Sequence, residues 1–97
     1  MTIQDMTLEE RPREKMILNG AGSLTDAELL AILIRTGTKQ FNAIQLGKAI
    51  IEKADNIRYL QNITIEELES INGIGKTKAV QIKAALELGN RIASYKP

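Results

Sequence analysis

The sequence predicts an all-α domain, and three observations favour this fold class. Aromatic residues make up 3% of the 97 residues and hydrophobic residues 43%, so the core must be built from Leu, Ile, Ala and Met. Strands rely on aromatic and β-branched side chains, and no segment alternates between apolar and polar residues as a half-buried strand does. The apolar segments instead repeat with helical spacing and are bounded by capping residues or glycine. We therefore expect five or six helices in one domain.

The first helix is predicted after an N-terminal segment without a clear pattern. Residues 1–10 are expected to be a flexible N-terminus, so the domain should span residues 11–97. Pro12 suits the first position of a helix and Gly20 its end. The side chains expected to face inward are Met16, Ile17 and Leu18.

Two further helices follow a turn formed by the sequence GAGS. DAELLAILIR predicts a mostly buried second helix that Thr25 or Ser23 caps, and NAIQLGKAIIEKA predicts a third helix. The inward positions are Leu29, Leu30, Leu33 and Ile34 in the second helix, and Ile44, Leu46, Ile50 and Ile51 in the third. The intervening TGTKQ is not a P-loop, because it lacks the Gly-Lys-Ser/Thr ending.

The last third of the chain predicts a connector, a short helix and a long helix. DNIRYLQNI should form one short helical turn, and TIEELES a short helix that Thr64 caps with Glu67 in the capping-box position. The long helix is expected over residues 76–95, and Gly89 inside it indicates a close crossing with a neighbouring helix. Its inward positions are Ala79, Ile82, Ala85, Leu86, Leu88, Ile92 and Ala93.

The stretch ESINGIGKTKA, residues 69–79, contains more glycine than the end of a helix requires. Gly73 permits a tight turn at φ angles closed to other residues, and Gly75 leaves the backbone bare just before the long helix. Ile74 is expected to point back between the two flanking helices. The first N–H groups of the long helix then face outward without an obstructing side chain, an arrangement that binds anions and above all phosphate.

Spacing and charge around this stretch agree with that interpretation. Leu68 and Ile71 direct an apolar edge inward, and the small Ala79 lets the helices cross closely. Residues 71–97 carry five basic and one acidic residue, a net charge of +4, whereas residues 1–70 carry −3. A basic surface attracts polyanions, although a solvated helix face would account for the same charges. Gly-x-Gly before a helix would, by itself, equally fit a plain interhelical turn.

LESINGIGKTKA resembles the helix-hairpin-helix motif, a DNA-binding element that does not read base sequence. RPREKMILNGAGSLTDAELLAILIRTGT followed by ITIEELESINGIGKTKAVQIKAALELGNRI resembles the N-terminal region of the RadC family of bacterial DNA repair proteins, from about Arg11 to Ile92. In that family the region precedes a Jab/MPN-type domain with a zinc site built on His-x-His and Asp. This chain has no histidine, so no metallopeptidase residue carries over. We expect an excised domain or a natural short form.

The hairpin has a candidate partner earlier in the chain. Aligning Gly37 with Gly75 pairs Leu30 with Leu68, Leu33 with Ile71 and, after two inserted residues, Ala43 with Ala79 and Leu46 with Ile82. This order predicts a tandem helix-hairpin-helix fold with a degenerate first hairpin, because Arg35 replaces the first glycine and Thr36 the isoleucine. If the duplication is real, the first copy is mainly structural, with Arg35, Thr38 and Lys39 as accessory contacts.

Three classes of function compete. The first is a DNA-binding module that grips backbone phosphates of duplex or branched DNA. The second is a protein-interaction or regulatory scaffold that positions a Jab/MPN-type metallopeptidase domain. The third is an enzyme such as a DNA glycosylase, which shares the hairpin, but such enzymes need a larger chain with a catalytic Asp or Lys facing a base pocket. We therefore expect no enzymatic activity, and the scarcity of aromatic residues argues against a specialist for single strands.

The residues expected to bind DNA are Asn72, Gly73, Ile74, Gly75, Lys76, Thr77 and Lys78, with Lys83, Arg35, Thr38 and Lys39 as accessory contacts. No metal, other cofactor or small-molecule substrate is expected, since the chain has neither His nor Cys. No apolar run approaches the roughly 20 residues of a membrane span, and the N-terminus lacks a signal-peptide pattern. We therefore expect a cytoplasmic protein without a membrane partner. DNA is the expected partner, and other proteins stay open as partners.

Overall fold

The computed structural model describes residues 11–97, and all regular structure in this range is helical. In chain order the α-helices are α1 (Arg11–Asn19), α2 (Asp26–Ile34), α3 (Ala43–Lys53), α4 (Ile65–Glu69) and α5 (Lys76–Ser94). Two 3-10 helices, Ala21–Ser23 and Ile57–Asn62, precede α2 and connect α3 with α4. The predicted all-α fold class is confirmed for this part of the chain. The predicted flexible N-terminus, residues 1–10, lies outside the described residues.

Capping side chains define where three of these helices begin. The Thr25 side chain accepts a hydrogen bond from the Glu28 backbone N–H, and the Glu28 carboxylate accepts one from the Thr25 backbone N–H. Thr25 rather than Ser23 is therefore the cap of α2. The same reciprocal capping box begins α3, at Asn42 with Gln45, and α4, at Thr64 with Glu67. The box at α4 was predicted and is confirmed. Each box pairs two backbone N–H donors that the helix itself leaves without a partner.

The hydrophobic core lies between α2, α3, α4 and α5. Helix α2 packs against α3 and α5, and α4 packs against α5 and α3, so each helix pair contacts both helices of the other pair. The core side chains are Leu30, Ala31, Ile34, Ala43, Leu46, Ile50, Leu60, Ile63, Leu68, Ile74, Ala79 and Ile82. No polar or charged side chain of the described residues is buried with them. Apolar burial therefore holds the two helix pairs together.

The inward face predicted for α1 was wrong at two of its three positions. Met16 is half-buried, but Ile17 is 75% exposed and Leu18 61% exposed. Three consecutive residues span about 200° around a helix, so they cannot all face one neighbour. Pro12 is the buried residue of this helix. Leu29 was also expected inward and is 38% exposed, on the outer side of α2.

The inward face predicted for α5 holds only for the first part of the helix. Ala79 and Ile82 are fully buried and Leu86 is half-buried, whereas Leu88 is 62% and Ile92 77% exposed. Ala93, also expected inward, is exposed. Helix α5 extends past the helices that cover it, so the periodic pattern continues where no described residue packs against it.

The close helix crossing is located at Gly47, not at Gly89 as predicted. Among the described residues, a Cβ atom on Gly89 would have nothing within 4 Å outside its own helix. A Cβ atom on Gly47 would lie 2.5 Å from the carbonyl oxygen of Ala27, so α2 and α3 meet backbone to backbone at this point. The sequence signal was the same for both glycines, and only the packing of the helices separates them.

Candidate functional site

The turn between α4 and α5 has the geometry that the sequence predicted. Gly73 has a φ of 104°, in the region that side-chain-bearing residues rarely adopt. Two backbone hydrogen bonds close the turn, from Ile71 N to Leu68 O at 3.1 Å and from Ile74 N to Ile71 O at 3.0 Å. Ile74 is 3% exposed and belongs to the core, so the predicted wedge between the helices is confirmed.

Gly75 follows this turn and is the N-cap of α5. It is exposed, its backbone is extended with φ −90° and ψ −175°, and a Cβ atom there would meet no atom of residues 11–97 within 4 Å. No side chain caps the helix, in contrast to Thr25, Asn42 and Thr64 at α2, α3 and α4. The packing of the described residues therefore does not require glycine at position 75. Its effect is to leave the first N–H groups of α5 open to solvent.

The turn between α2 and α3 also has a positive φ at the aligned position, but with different residues and hydrogen bonds. Arg35, aligned with Gly73, has φ 74° and ψ −58°, and Thr36 N donates to Ile34 O at 2.9 Å, which forms a γ-turn. The Thr38 hydroxyl accepts hydrogen bonds from the backbone N–H groups of the two residues Gln40 and Phe41. Positive φ for a non-glycine residue is costly, so surrounding contacts must hold this turn in place.

The two helix pairs match in burial at the positions that the alignment paired. Leu30 and Leu68, Ala43 and Ala79, and Leu46 and Ile82 are all buried, and Leu33 and Ile71 are both half-buried. Both turns also place a positive φ at the same aligned position. These correspondences support the predicted internal duplication.

The two turns lie against each other and form one surface. A Cβ atom on Gly73 would lie 3.0 Å from the side chains of both Thr38 and Leu46, so the second turn packs closely on the first. The amide of Asn72 donates to the Gln40 side chain at 3.5 Å. We call residues 35–41 and 72–78 together the paired-turn surface. It unites the predicted primary residues with three of the predicted accessory ones.

The predicted cationic residues differ in their surroundings. Lys76, Lys39 and Arg35 are exposed and form no ion pair within residues 11–97. Lys78 is half-buried, and its ammonium donates to the carbonyl oxygen of Thr36 at 2.7 Å. Lys83 donates to the carbonyl of Gln61 in the connector at 3.4 Å, which directs it away from the turns. Its role as an accessory contact stays a prediction, as do the roles of the other site residues.

The charge pattern of the paired turns is sharper than the net charge suggests. Of the 13 basic and 12 acidic residues in the chain, residues 35–51 and 70–86 hold six basic and no acidic residues. The rest of the chain therefore carries a net charge of −5. The sequence contained this signal, but dividing the chain at residue 70 hid it, because residues 35–51 and residues 70–86 contribute three cations each.

A groove beside the paired-turn surface was not predicted. It has a volume of about 410 Å³ and lies along α3, where Phe41 is 41% exposed. Its lining residues include Phe41, Gln45, Lys48, Glu52, Ile71 and Asn72. No pattern in the sequence indicates this groove, because Phe41 and Ile71 come together only when the two turns pack against each other.

The carboxylates with shifted pKa values lie at helix starts. The Thr64 backbone N–H donates to Glu67 and lowers the pKa of that carboxyl, and Thr25 does the same for Glu28, where Lys15 adds to the effect against partial burial. These groups stabilise helices and do not form an acid/base pair. No group of three or more His, Cys, Asp or Glu side chains among the described residues could hold a metal ion.

Comparison with known proteins places the chain in a family. The family model described as UPF0758 N-terminal matches residues 3–80. The chain belongs to the UPF0758 family. Among the curated UPF0758 proteins, one from Clostridioides difficile is 58% identical over 96 residues, which cover 98% of this chain and 41% of that protein. One from Bacillus licheniformis is 53% identical over 94 residues, covering 97% of this chain and 42% of that protein.

This UPF0758 chain spans about two fifths of the length of these relatives. A third, from Geobacillus thermodenitrificans, shows the same relation, with 52% identity over 93% of this chain and 40% of that protein. No solved structure matches. Within residues 11–97, no helix of the UPF0758 domain combines the length and the apolar character that crossing a membrane demands. The helix-hairpin-helix motif and the RadC resemblance stay predictions.

Proposed function

We propose that this UPF0758 domain binds the phosphate backbone of duplex or branched DNA without reading base sequence, as the tandem helix-hairpin-helix module of a RadC-like DNA repair protein. The observation that carries the proposal is the uncapped N-terminus of α5 at Gly75. Glycine there is exposed and is not required by the packing of residues 11–97, so its bare backbone is available to an external group. Unpaired N–H groups at a helix N-terminus bind phosphate.

The surrounding residues supply the remaining contacts in this proposal. Gly73 and Ile74 fix the turn, and Gly75 with Lys76 and Thr77 presents backbone N–H groups to a phosphate. Lys76 adds an exposed charge without an acidic partner among residues 11–97. On the first turn, Arg35 and Lys39 offer further charge to the same polyanion.

The acid-free segments around both turns favour a polyanion over an uncharged ligand. Residues 35–51 and 70–86 hold six cations and no carboxylate, which attracts phosphates, while the remaining chain, with a net charge of −5, repels them. This asymmetry orients the domain, so that the paired-turn surface meets DNA first. Contacts to phosphate alone set position and leave base sequence unread.

The test is a titration of fluorescent duplex, forked and single-stranded DNA at about 50 and 200 mM salt, read by anisotropy. We expect micromolar or weaker affinity, little dependence on sequence, and a slope of log affinity against log salt of about −2 to −4 for two to four phosphate contacts. Lys76→Ala should flatten that slope by about one unit. Gly75→Val should weaken binding further, since its side chain would occupy the place of the phosphate.

Two controls make the titration decisive. Arg58→Ala removes an exposed cation from the connector, at the opposite ends of α3 and α4, and should leave the slope unchanged. Gly75→Val should keep its helical circular dichroism, because the position is extended and open. Absence of binding by the parent at low salt would overturn the proposal, and so would a folded Gly75→Val variant that binds as well as the parent.

A protein-interaction scaffold is the alternative, and one observation favours it. Leu88 and Ile92, four residues apart near the end of α5, are 62% and 77% exposed, and Tyr95, the C-cap residue that follows the helix, is 75% exposed. The relatives are more than twice as long as this chain. The alternative proposal is therefore a scaffold that positions a further domain, such as a Jab/MPN-type metallopeptidase domain. The affinity of an apolar protein interface would not fall steeply as the salt concentration rises, whereas the affinity for phosphates would. The salt dependence of binding therefore distinguishes the two functions.

A further inference from the structure

Lys78 has a different environment from Lys76, although only one residue separates them. The Lys76 side chain is exposed and has no hydrogen bond or ion pair within residues 11–97. Lys78 is half-buried and donates to the carbonyl oxygen of Thr36, 42 residues earlier in the chain, at 2.7 Å. A hydrogen bond from an ammonium group is stronger than one between neutral groups. Lys78 therefore connects the N-terminus of α5 to the first turn.

The carbonyl that Lys78 holds belongs to the strained part of the first turn. Thr36 directly follows Arg35, whose φ of 74° is rare for a residue with a side chain. Such a conformation persists only where neighbouring contacts determine it. Lys78 provides the only charged contact from the second turn to this backbone among the described residues. The close packing of Gly73 against the Thr38 side chain is a second, uncharged contact between the two turns.

We propose that Lys78 is a positioning residue that fixes the first turn beside the N-terminus of α5, so that Arg35 and Lys39 meet the same DNA molecule as Lys76. This inference rests on the proposed DNA-binding function. The ligand is a run of phosphates that spans both turns, since a single anion would need only the second turn. Lys78 acts through the first turn, and its main contribution to affinity is the position of Lys39 and Arg35.

A double-mutant cycle between Lys78→Met and Lys39→Ala tests this role through the salt slope of duplex binding, because methionine keeps the length of the side chain but has no N–H to donate. In the parent, Lys39→Ala should flatten the slope by about one unit, and in the Lys78→Met background it should change the slope by close to zero. An independent phosphate contact by Lys78 predicts instead that the two changes add. The matched cycle of Lys76→Ala with Lys39→Ala should be additive, because Lys76 forms no hydrogen bond or ion pair with the first turn among residues 11–97.

Two results of the cycle would overturn the inference. One is a Lys39→Ala effect of equal size in both backgrounds, which means that Lys78 does not position the first turn. The other is no effect of Lys39→Ala in the parent, which means that the first turn does not contact DNA. Both outcomes leave binding at α5 intact, so they are distinguishable from failure of the proposed function.

A measurement without DNA keeps the positioning role testable if the parent does not bind. The amide of Thr38 donates to Phe41 O at 2.7 Å, and the amide of Phe41 donates to the Thr38 hydroxyl at 3.0 Å. In Lys78→Met these two amides should exchange with solvent about tenfold faster, while amides in the middle of α3 are unchanged. Lys76→Ala should leave all of them unchanged. Equal exchange in the parent and Lys78→Met would show that Lys78 does not hold the turn.

Discussion

Gly73 and Gly75 serve different purposes although one residue separates them. Gly73 combines a positive φ with close packing against Thr38 and Leu46, so both the backbone and the space require glycine. Gly75 has an ordinary extended backbone and open space around its missing side chain. The first glycine is therefore explained by folding. For the second, the packing of the described residues offers no such reason, and this distinction is the basis of the proposed phosphate site.

Ile74, between these glycines, should be one of the most sensitive core positions. The side chain is 3% exposed and packs between the two helix pairs, so Ile74→Ala should lower the free energy of unfolding by about 2–4 kcal/mol. Urea denaturation measures this change. Ile92→Ala, at a position that is 77% exposed, is the matched control and should cost less than about 0.5 kcal/mol. Equal effects of both variants would mean that Ile74 is not the wedge.

Acid should destabilise the domain through its capping glutamates. Hydrogen bonds from Thr25 and Thr64 lower the pKa of Glu28 and Glu67 in the folded state. A lowered folded pKa gives stability that is present above the unfolded pKa and is lost as pH falls through the folded value. We expect the free energy of unfolding to decrease as pH falls below 4.5, the ordinary value for glutamate.

Urea titrations over this pH range, with a double variant, assign the effect. Glu28→Gln combined with Glu67→Gln keeps the capping acceptors, as Gln45 does at α3, but removes the titration. The loss of stability with acid should then be smaller than in the parent. Glu52→Gln, an exposed residue outside the capping boxes, should retain the full loss. An unchanged acid response in the double variant would assign the effect to other groups.

The helices differ in how closely they meet, and two glycines show this difference. At Gly47 the backbones of α2 and α3 approach so closely that a methyl group would lie 2.5 Å from the Ala27 carbonyl oxygen. At Gly89 helix α5 has no such neighbour within the described residues. The closely packed pair α2–α3 supports the first turn, while the hydrogen bonds that support the end of α5 within the described residues come from α5 itself.

The same substitution should have opposite effects at these two glycines. Gly47→Ala should lower the free energy of unfolding by about 1–3 kcal/mol, because the new methyl group overpacks a backbone contact. Gly89→Ala should raise it by about 0.5–1 kcal/mol, because alanine is the better helix former in open space. Thermal and urea melts of both variants provide the comparison. Stabilisation by Gly47→Ala would show that α2 and α3 are further apart than described.

Within the whole molecule, two helix pairs enclose one core and one helix extends beyond it. Each pair contributes a turn to the paired-turn surface, and each is covered by the other. Residues 87–97 are all exposed, so the last part of α5 lies outside this arrangement. Stability and the proposed DNA contact should therefore both depend on residues before this end.

Truncation separates the core of the domain from its extension. Removing residues 91–97 should change the free energy of unfolding by less than about 1 kcal/mol, because these side chains bury little surface. Removing residues 84–97 should destabilise the domain clearly, since Leu86 packs on the core and its carbonyl accepts a bond from Gln61. Urea unfolding of both chains tests this. A large loss from the shorter truncation would mean that the end of α5 is covered.

The sequence by itself determined the local structure of this protein. Helical periodicity and scarce aromatics gave the all-α class, Thr64 with Glu67 gave a capping box, and Gly-Ile-Gly gave the turn with Ile74 inside. These features depend on neighbours within a few residues, so local rules suffice to find them. The two cationic segments, residues 35–51 and 70–86, can also be found from the sequence, because the positions of charged residues can be counted without a structure.

Only the tertiary structure decided how these local units face each other. Gly47 and Gly89 look alike in the sequence, and only the crossing of α2 and α3 makes one of them indispensable. Lys76 and Lys78 also look equivalent, and only the packing of the two turns directs Lys78 to the Thr36 carbonyl while Lys76 stays exposed. The apolar stripe of α5 is continuous, but its neighbours end before it does. Contacts between distant segments depend on the arrangement of whole helices, which local periodicity does not encode.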